Sequence, residues 1–193
     1  MPDPVMDQVF LHGRTHSAWR EKPVPDDLLR KLFMMTVMGP TSANCLPLRV
    51  AFVSSPDGKE ALVPLMAAGN REKTRTAPVT AILAYDLAFY EKLDRLYAHE
   101  PNAASWFTGS PAATRDAALR NGSLQAGYFI MAARALGLDC GPMGGFDAPA
   151  VAKAFFPGRT YEVNLLCNLG YGDHSVLHPR LPRLSFEEAC VVV

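Results

Sequence analysis

Apolar residues recur at helical spacing from Asp26 onward: Leu28, Leu32 and Met35, with Leu29, Phe33 and Thr36 beside them. Positions three and four apart share one face of an α-helix, so this stretch predicts a helix that stops before Gly39-Pro40. Arg49 to Val53 predicts a strand. Ser55-Pro56 has the form of an N-cap followed by proline in the first turn, where a missing N–H costs nothing. It opens a helix expected to end near Gly69. Val79 to Ala84 is a continuous apolar run of strand length, as a strand covered on both faces requires. The longest helix is expected between about Ala117 and Leu136, with Leu124, Tyr128, Met131 and Ala135 as its buried stripe and Gly137 as its stop. Val163 to Leu169 predicts a third strand, followed by the turn residues Gly170, Gly172 and Asp173. Strands alternating with helices indicate an α/β or α+β sandwich around one sheet.

One stretch breaks the pattern. Asp86 to Ser110 carries Phe89, Tyr90, Tyr97, Trp106 and Phe107 together with Pro101. Between a core strand and a long helix, such a segment reads either as a helical excursion or lid over a site, or as a surface piece that only packs.

Length and composition narrow the class. The chain of 193 residues reads as one domain spanning 1–193, and 49% hydrophobic with 20% charged residues is enough to build a core without disulfides or metal. Nineteen basic residues balance nineteen acidic ones, so the whole-chain charge gives no support for nucleic-acid or polyanion binding, although a local basic pocket for a phosphate is compatible. Cys45, Cys140, Cys167 and Cys190 form no CxxC pair and read as buried structural thiols. Met1 to Phe10 lacks a basic segment followed by an apolar run, and no stretch approaches the ~20 apolar residues of a membrane span. A cytoplasmic protein is the expectation.

Several catalytic signatures are absent. There is no GxGxxG after a strand, no GxxxxGK[ST] and no GxSxG, which removes the usual dinucleotide, P-loop and hydrolase readings. His12/His16 and His174/His178 have the i,i+4 spacing of helical metal ligands. Gly13 interrupts the first pair, Pro179 follows the second, and no glutamate stands within either; no metal site is expected.

Four polar or glycine-rich clusters remain. They are Arg14-Thr15-His16-Ser17, Gly39 to Asn44, Asn70-Arg71-Glu72-Lys73, and Gly141 to Asp147. Singly, each has the composition of a turn, a cap or a solvated charge. In order, and with Arg180 to Glu188 at the end, they resemble the nitroreductase family over nearly the whole chain, from about Arg14 to Glu188. Leu46-Pro47-Leu48 stands where that family commonly has Gln-Pro-Trp. Arg14-Thr15-His16 with Trp19-Arg20, Trp106-Phe107-Thr108 and Arg180 to Cys190 narrow the resemblance to its malonic semialdehyde reductases of pyrimidine degradation.

The resemblance implies a three-layer α+β sandwich with a central, mostly antiparallel sheet flanked by helices. It implies an intertwined homodimer with FMN at the subunit interface, and neither nucleic acid nor membrane as partner. The implied cofactor contacts are Arg14, Thr15 and His16; Pro40, Thr41, Ser42 and Asn44; Asn70 and Lys73; Pro142, Met143, Gly144 and Gly145; and, for the phosphate, either Arg180 or Arg183. The chemistry of these residue types fits. Arginine offers a fork that matches phosphate oxygens. A lysine at Lys73 would stabilise negative charge at flavin N1 and O2, and Asn70 would bond the pyrimidine edge. Glycine at 144 and 145 permits close backbone approach at N5. The implied activity is ping-pong hydride transfer from NADH or NADPH through N5, with no catalytic side chain. The acceptor is malonic semialdehyde, giving 3-hydroxypropanoate, or alternatively a nitroaromatic or quinone. A flavin-binding protein without turnover and a metal hydrolase are the readings from other classes. Trp106 and Phe107 are expected to line the substrate face.

Overall fold

The computed structural model describes residues 4–193; Met1 to Asp3, the start of the stretch tested for a secretory signal, lie outside the described residues. Four strands form one antiparallel sheet: β1 (Leu48–Val53), β2 (Val79–Asp86), β3 (Asp139–Met143) and β4 (Tyr161–Gly170), in the order β1-β2-β4-β3. The helices that cover the sheet or carry site residues are α1 (Asp26–Thr36), α2 (Pro56–Leu62), α3 (Ala68–Thr76), α4 (Pro111–Ala135) and α5 (Ala148–Phe155).

β2 is the spine. It pairs Leu83 with Val50 of β1 and with Leu165 of β4, and all eight of its residues are buried. Successive side chains point to opposite faces of a strand. Ala81 and Leu83 therefore join Leu29, Leu32, Ala126 and Phe129 of α1 and α4, while Ile82 and Ala84 join Leu62 of α2 and Val151 of α5. Helices thus cover both faces, and the three-layer sandwich expected from the sequence is present. Each fully buried Leu or Phe in these layers contributes about 1.5–3 kcal/mol by leaving water.

Three expectations need correction. The stretch after Ser55 is two helices rather than one, because Val63-Pro64-Leu65 tightens into a 3-10 turn before α3 begins. Gly141 to Asp147 begins as strand β3 instead of a turn; Pro142 is tolerated because β3 is an edge strand. The long helix starts at Pro111, capped by the Ser110 hydroxyl, and it buries a different stripe: Ala118, Asn121, Gly122, Gln125, Ala126, Phe129, Ala132 and Ala133. Leu124 is 44% exposed. The apolar stripe misled because two of the buried positions are amides with backbone partners. Asn121 Oδ1 accepts from the Ser42 N–H at 2.8 Å and Gln125 Oε1 from the Leu48 N–H at 2.9 Å.

α1 buries Leu29, Leu32 and Thr36, yet Phe33, Met34, Met35 and Met38 stay exposed. Cys45, Cys140 and Cys167 are buried thiols, whereas Cys190 is exposed. The Asp86–Ser110 segment folds into short helical turns at Phe89–Lys92, Leu93–Leu96 and Ala103–Phe107. Its Phe89, Leu93 and Ala103 pack with Tyr85 and Ala118 into a separate small core. No helix of the described residues is long and apolar enough to cross a membrane.

Candidate functional site

The two ends of the chain meet. Thr15 forms a parallel bridge to Cys140, and the His16 N–H donates to the Cys140 carbonyl at 2.9 Å, so the N-terminal segment lies along β3. The C-terminal segment folds over it: Arg14 donates to the His178 carbonyl, and Arg180 donates to the Gly13 carbonyl at 3.1 Å and the Leu11 carbonyl at 2.5 Å. Between them lies a cavity of about 240 Å³ lined by Arg14, Thr15, Ser17, Arg134, Arg180 and Arg183, among others. None of these four arginines pairs with a carboxylate among the described residues. The buried Nε–H of Arg134 has no hydrogen-bond partner among the described residues. Four guanidinium groups held by carbonyls and not by carboxylates form a cradle that selects an anion with several oxygens.

A second group forms where β3 ends. Asn70 on α3 donates to the Gly145 carbonyl at 2.8 Å, and the Ala67 N–H donates to the same oxygen at 3.0 Å. A Cβ on Gly145 would stand 2.7 Å from Asn70 Nδ2, whereas a Cβ on Gly144 would meet nothing within 4 Å. Gly145 is therefore glycine for packing and Gly144 borders open space. Pro142 and Met143 are the last residues of β3, paired with Cys167 and Leu166 of β4. Lys73 is half-buried, and its carbonyl accepts from Trp19 Nε1 at 3.2 Å and Asn168 Nδ2 at 2.9 Å.

The groups that position Lys73 escaped the sequence reading. Lys59 of α2 is 9% exposed and donates from Nζ to the Thr74 carbonyl and to Thr80 Oγ1, both at 2.8 Å. Thr80 Oγ1 in turn donates to Asn168 Oδ1 at 2.7 Å. Burial pushes the Lys59 ammonium down to about 8 from its ordinary 10.5. No local signal marks it, since a lysine in Gly58-Lys59-Glu60 reads as a solvated charge.

The Pro40–Asn44 loop belongs to a different part of the chain. Tyr128 OH donates to the Pro40 carbonyl at 3.0 Å, Thr41 Oγ1 accepts from the Leu46 N–H at 3.3 Å, and Asn44 Nδ2 donates to the Leu96 carbonyl at 2.9 Å. Ser42 and Asn44 are exposed. Ala43, Asn44 and Leu46 have φ of 48°, 50° and 40°. Left-handed backbone at non-glycine residues costs about 1–3 kcal/mol each, and clustered strain of this kind marks functional loops.

The two aromatics expected over the substrate have different surroundings. Phe107 packs edge-on against Phe89 at 5.1 Å, and its carbonyl accepts from Thr114 Oγ1. Trp106 is 58% exposed and touches Tyr97 edge-on at 6.0 Å.

His16 turns away from the arginine cavity. Its side chain is fully buried, with Nε2 3.3 Å from Asp139 Oδ1 and its ring 4.9 Å from that of His174. Burial raises the Asp139 pKa. The approach of His16, the Gly172 N–H and the charges of His16 and His174 outweigh it, leaving the carboxyl below its ordinary range. The fold thus joins one member of each histidine pair, a grouping that i,i+4 spacing did not suggest.

The chain is similar in sequence and fold to known proteins. A curated relative from Ralstonia nicotianae, provisionally named NADH dehydrogenase/NAD(P)H nitroreductase, is 57% identical over 189 residues, covering 98% of this chain and 96% of the relative. A crystal structure from Exiguobacterium sibiricum, provisionally named a nitroreductase and solved in complex with FMN, has a TM-score of 0.87 at 20% identity, covering 100% of this chain and 99% of that one. A nitroreductase family protein from Streptococcus pneumoniae has a TM-score of 0.83 at 21% identity over 96% and 98% of the two chains. The model of the nitroreductase family matches residues 14–171, and the chain belongs to that family.

Proposed function

We propose that the protein is a homodimeric FMN-dependent NAD(P)H oxidoreductase. The observation that carries this reading is the placement of two donor groups along one strand. The arginine cavity sits against Cys140, where Thr15 bridges β3, and the open Gly144 lies four residues further on. Extended chain rises about 3.3 Å per residue, so roughly 13 Å separates the two. A phosphate joined to a flat ring by a ribityl chain suits that span. Arg14 and Thr15 would hold the phosphate. Arg183 would join them, since its guanidinium bonds only the Leu181 and Pro182 carbonyls just before it in sequence. Asn70 and Lys73 would face the pyrimidine edge, and the backbone at Gly144 would approach N5. FMN, when bound, supplies two-electron hydride chemistry between a nicotinamide and an acceptor.

The name of the Ralstonia relative and the FMN in the Exiguobacterium structure support the cofactor pair. The exposed Phe33, Met34 and Met35 of α1, Met38 just beyond it and Leu124 of α4 support a dimer, because exposed large apolar side chains gathered on one element suit an interface. For the acceptor we favour malonic semialdehyde, reduced by NAD(P)H and a proton to 3-hydroxypropanoate. The support is the sequence of the Arg14, Trp106 and Arg180 blocks. The relative's name favours a second reading, a nitro- or quinone reductase using the same site.

An absorption spectrum of the purified protein, with the released cofactor identified, tests the class. Bands near ~450 and ~370 nm that NADH or NADPH bleaches are expected of a flavin carrying the chemistry. A colourless protein that takes up no FMN would overturn the reading. Turnover of malonic semialdehyde against nitrofurazone and menadione then decides the acceptor.

A further inference from the structure

His16, Asp139 and His174 converge from three parts of the chain: the segment before Trp19, the first residue of β3, and the turn after β4. Each offers one ligand atom, and these atoms all lie within 4.8 Å of one another. The edges are informative. Two ligands at 2.0–2.1 Å from a tetrahedral ion stand about 3.3–3.4 Å apart. His16 Nε2 and Asp139 Oδ1 are 3.3 Å apart; His174 Nε2 and Asp139 Oδ2 are 4.0 Å apart. His174 is 59% exposed in its side chain and has room to close the difference.

The state of His16 points to a ligand. Its side chain is fully buried, and neither ring nitrogen has a hydrogen-bond partner of acceptable geometry among the described residues. The 3.3 Å approach to Asp139 is an electrostatic contact without hydrogen-bond geometry. A buried imidazole with two unpaired nitrogens is costly. Gly172 has no Cβ because one would stand 1.9 Å from His16 Nδ1, so the ring is wedged with Nδ1 against the Gly172 backbone and Nε2 towards Asp139. Asp139 is in turn oriented by the Gly172 N–H, which donates to Oδ2 at 2.8 Å. Such support behind ligands is what fixes a metal site.

We propose that His16, Asp139 and His174 bind a divalent transition-metal ion, with Zn²⁺ as the best match. Two imidazole nitrogens and one carboxylate oxygen are a borderline donor set, suited to Zn²⁺ over Mg²⁺ or Ca²⁺. The fourth position opens on a cavity of about 450 Å³, which has room for water. Arg134 also lines that cavity, but its Nη1 is tied to the Val9 carbonyl at 3.1 Å, and its guanidinium lies over Gly13. The ion would act as a clasp. It would tie the Thr15–His16 segment to the turn after β4, on either side of the arginine cavity, and it takes no part in hydride transfer. The metal site does not rest on the cofactor reading, and flavin content is to be measured in the same samples.

The test is Zn²⁺ binding by the full-length protein after removal of metal with a chelator, in competition with a chromogenic indicator. One equivalent should bind, and the melting temperature should rise with Zn²⁺, since an ion that binds only the folded state stabilises it. His174→Ala removes an exposed ligand and leaves the core intact; it should weaken binding at least tenfold. Asp139→Asn should do the same, while His178→Ala should leave affinity unchanged. Absence of saturable one-to-one binding would overturn the proposal. Binding that survives His174→Ala, or that His178→Ala abolishes equally, would overturn it too. A loss of flavin with Zn²⁺ binding retained, or the reverse, separates this site from the cofactor site.

Discussion

Lys59 offers the sharpest test of the network behind Lys73. Its ammonium is buried, paired only with the Thr74 carbonyl and Thr80 Oγ1, and its pKa is pushed down to about 8 from 10.5. The sign follows from proton counting. Between pH 8 and pH 10.5 the unfolded chain carries a proton on this amine and the folded chain does not. Stability therefore rises with pH across that window, because the cost of burying the charge disappears as the charge does. The full depression corresponds to about 3 kcal/mol, of which about 1 kcal/mol is recovered by pH 9 and about 2–3 kcal/mol by pH 10.

Lys59→Met carries no such proton. It fills most of the same volume, removes the desolvation cost, and leaves the Thr74 carbonyl unpaired at a cost of about 1–3 kcal/mol. At neutral pH these effects nearly cancel. The expected result is a wild-type-minus-variant stability difference that climbs with pH from 7 to 10, read by urea denaturation. Other titrating tyrosines and lysines are common to both proteins and drop out of the difference. A flat difference would refute the buried-charge account. The variant also loses the link from Lys59 through Thr80 to Asn168, so the α3 backbone at Lys73 should loosen, and weaker flavin retention should accompany the stability change.

Other residues give simpler outcomes. Lys73→Ala should reduce FMN content on purification or slow flavin bleaching by NADH; unchanged content and kinetics would make Lys73 a surface charge only. Gly144→Val should fold normally, because the added atoms enter open space, yet lose most turnover; a fully active variant would move the flavin away from that segment. Phe107→Ala should cost about 2 kcal/mol, or about 4–8 °C in Tm, through lost packing on Phe89. Trp106→Ala should leave Tm nearly unchanged and shift the ratio of aldehyde to quinone turnover; a uniform loss with destabilisation would remove Trp106 from the substrate wall. Met34→Asp, at an exposed position of α1, should weaken self-association in sedimentation and leave the monomer fold intact.

The parts of the fold readable in advance are those where one local signal dominates. The run Val79 to Ala84 has the length and composition of a covered strand, and Ser55-Pro56 has the form of a helix start; both fold so. Signals that depend on distant partners were opaque. Asn121 and Gln125 look like solvent-facing amides until the strained loop supplies their partners from Ser42 and Leu48. β3 hides behind Gly141-Pro142, residues that punctuate most chains but suit an edge strand. Among the candidate site residues, Arg14, Thr15, Arg180 and Arg183 converge although they lie at opposite ends of the sequence. His16 shows the converse: spacing paired it with His12, whereas the approach of β3 and the turn after β4 pairs it with Asp139 and His174.

The division of the remaining residues has a physical logic. Arg14, Asn70, Lys73 and Gly144 gather about β3, at one edge of the sheet, whereas Pro40 to Asn44 connect α1 to β1 at the other. Within one chain the second group completes nothing. Its strain is nevertheless maintained by two buried amides and the Tyr128 hydroxyl, a cost that a mere connection would not need to bear. The exposed Phe33, Met34 and Met35 lie on the helix that leads into this loop. On the proposed dimer those two facts explain each other. Burying the apolar face of α1 against a second copy carries the loop along with it, and the exposed Ser42 and Asn44 then face the partner's cavity instead of solvent. The rigid loop and the uncovered helix face are in that sense one device, and a substitution such as Met34→Asp should weaken dimer formation and flavin binding together.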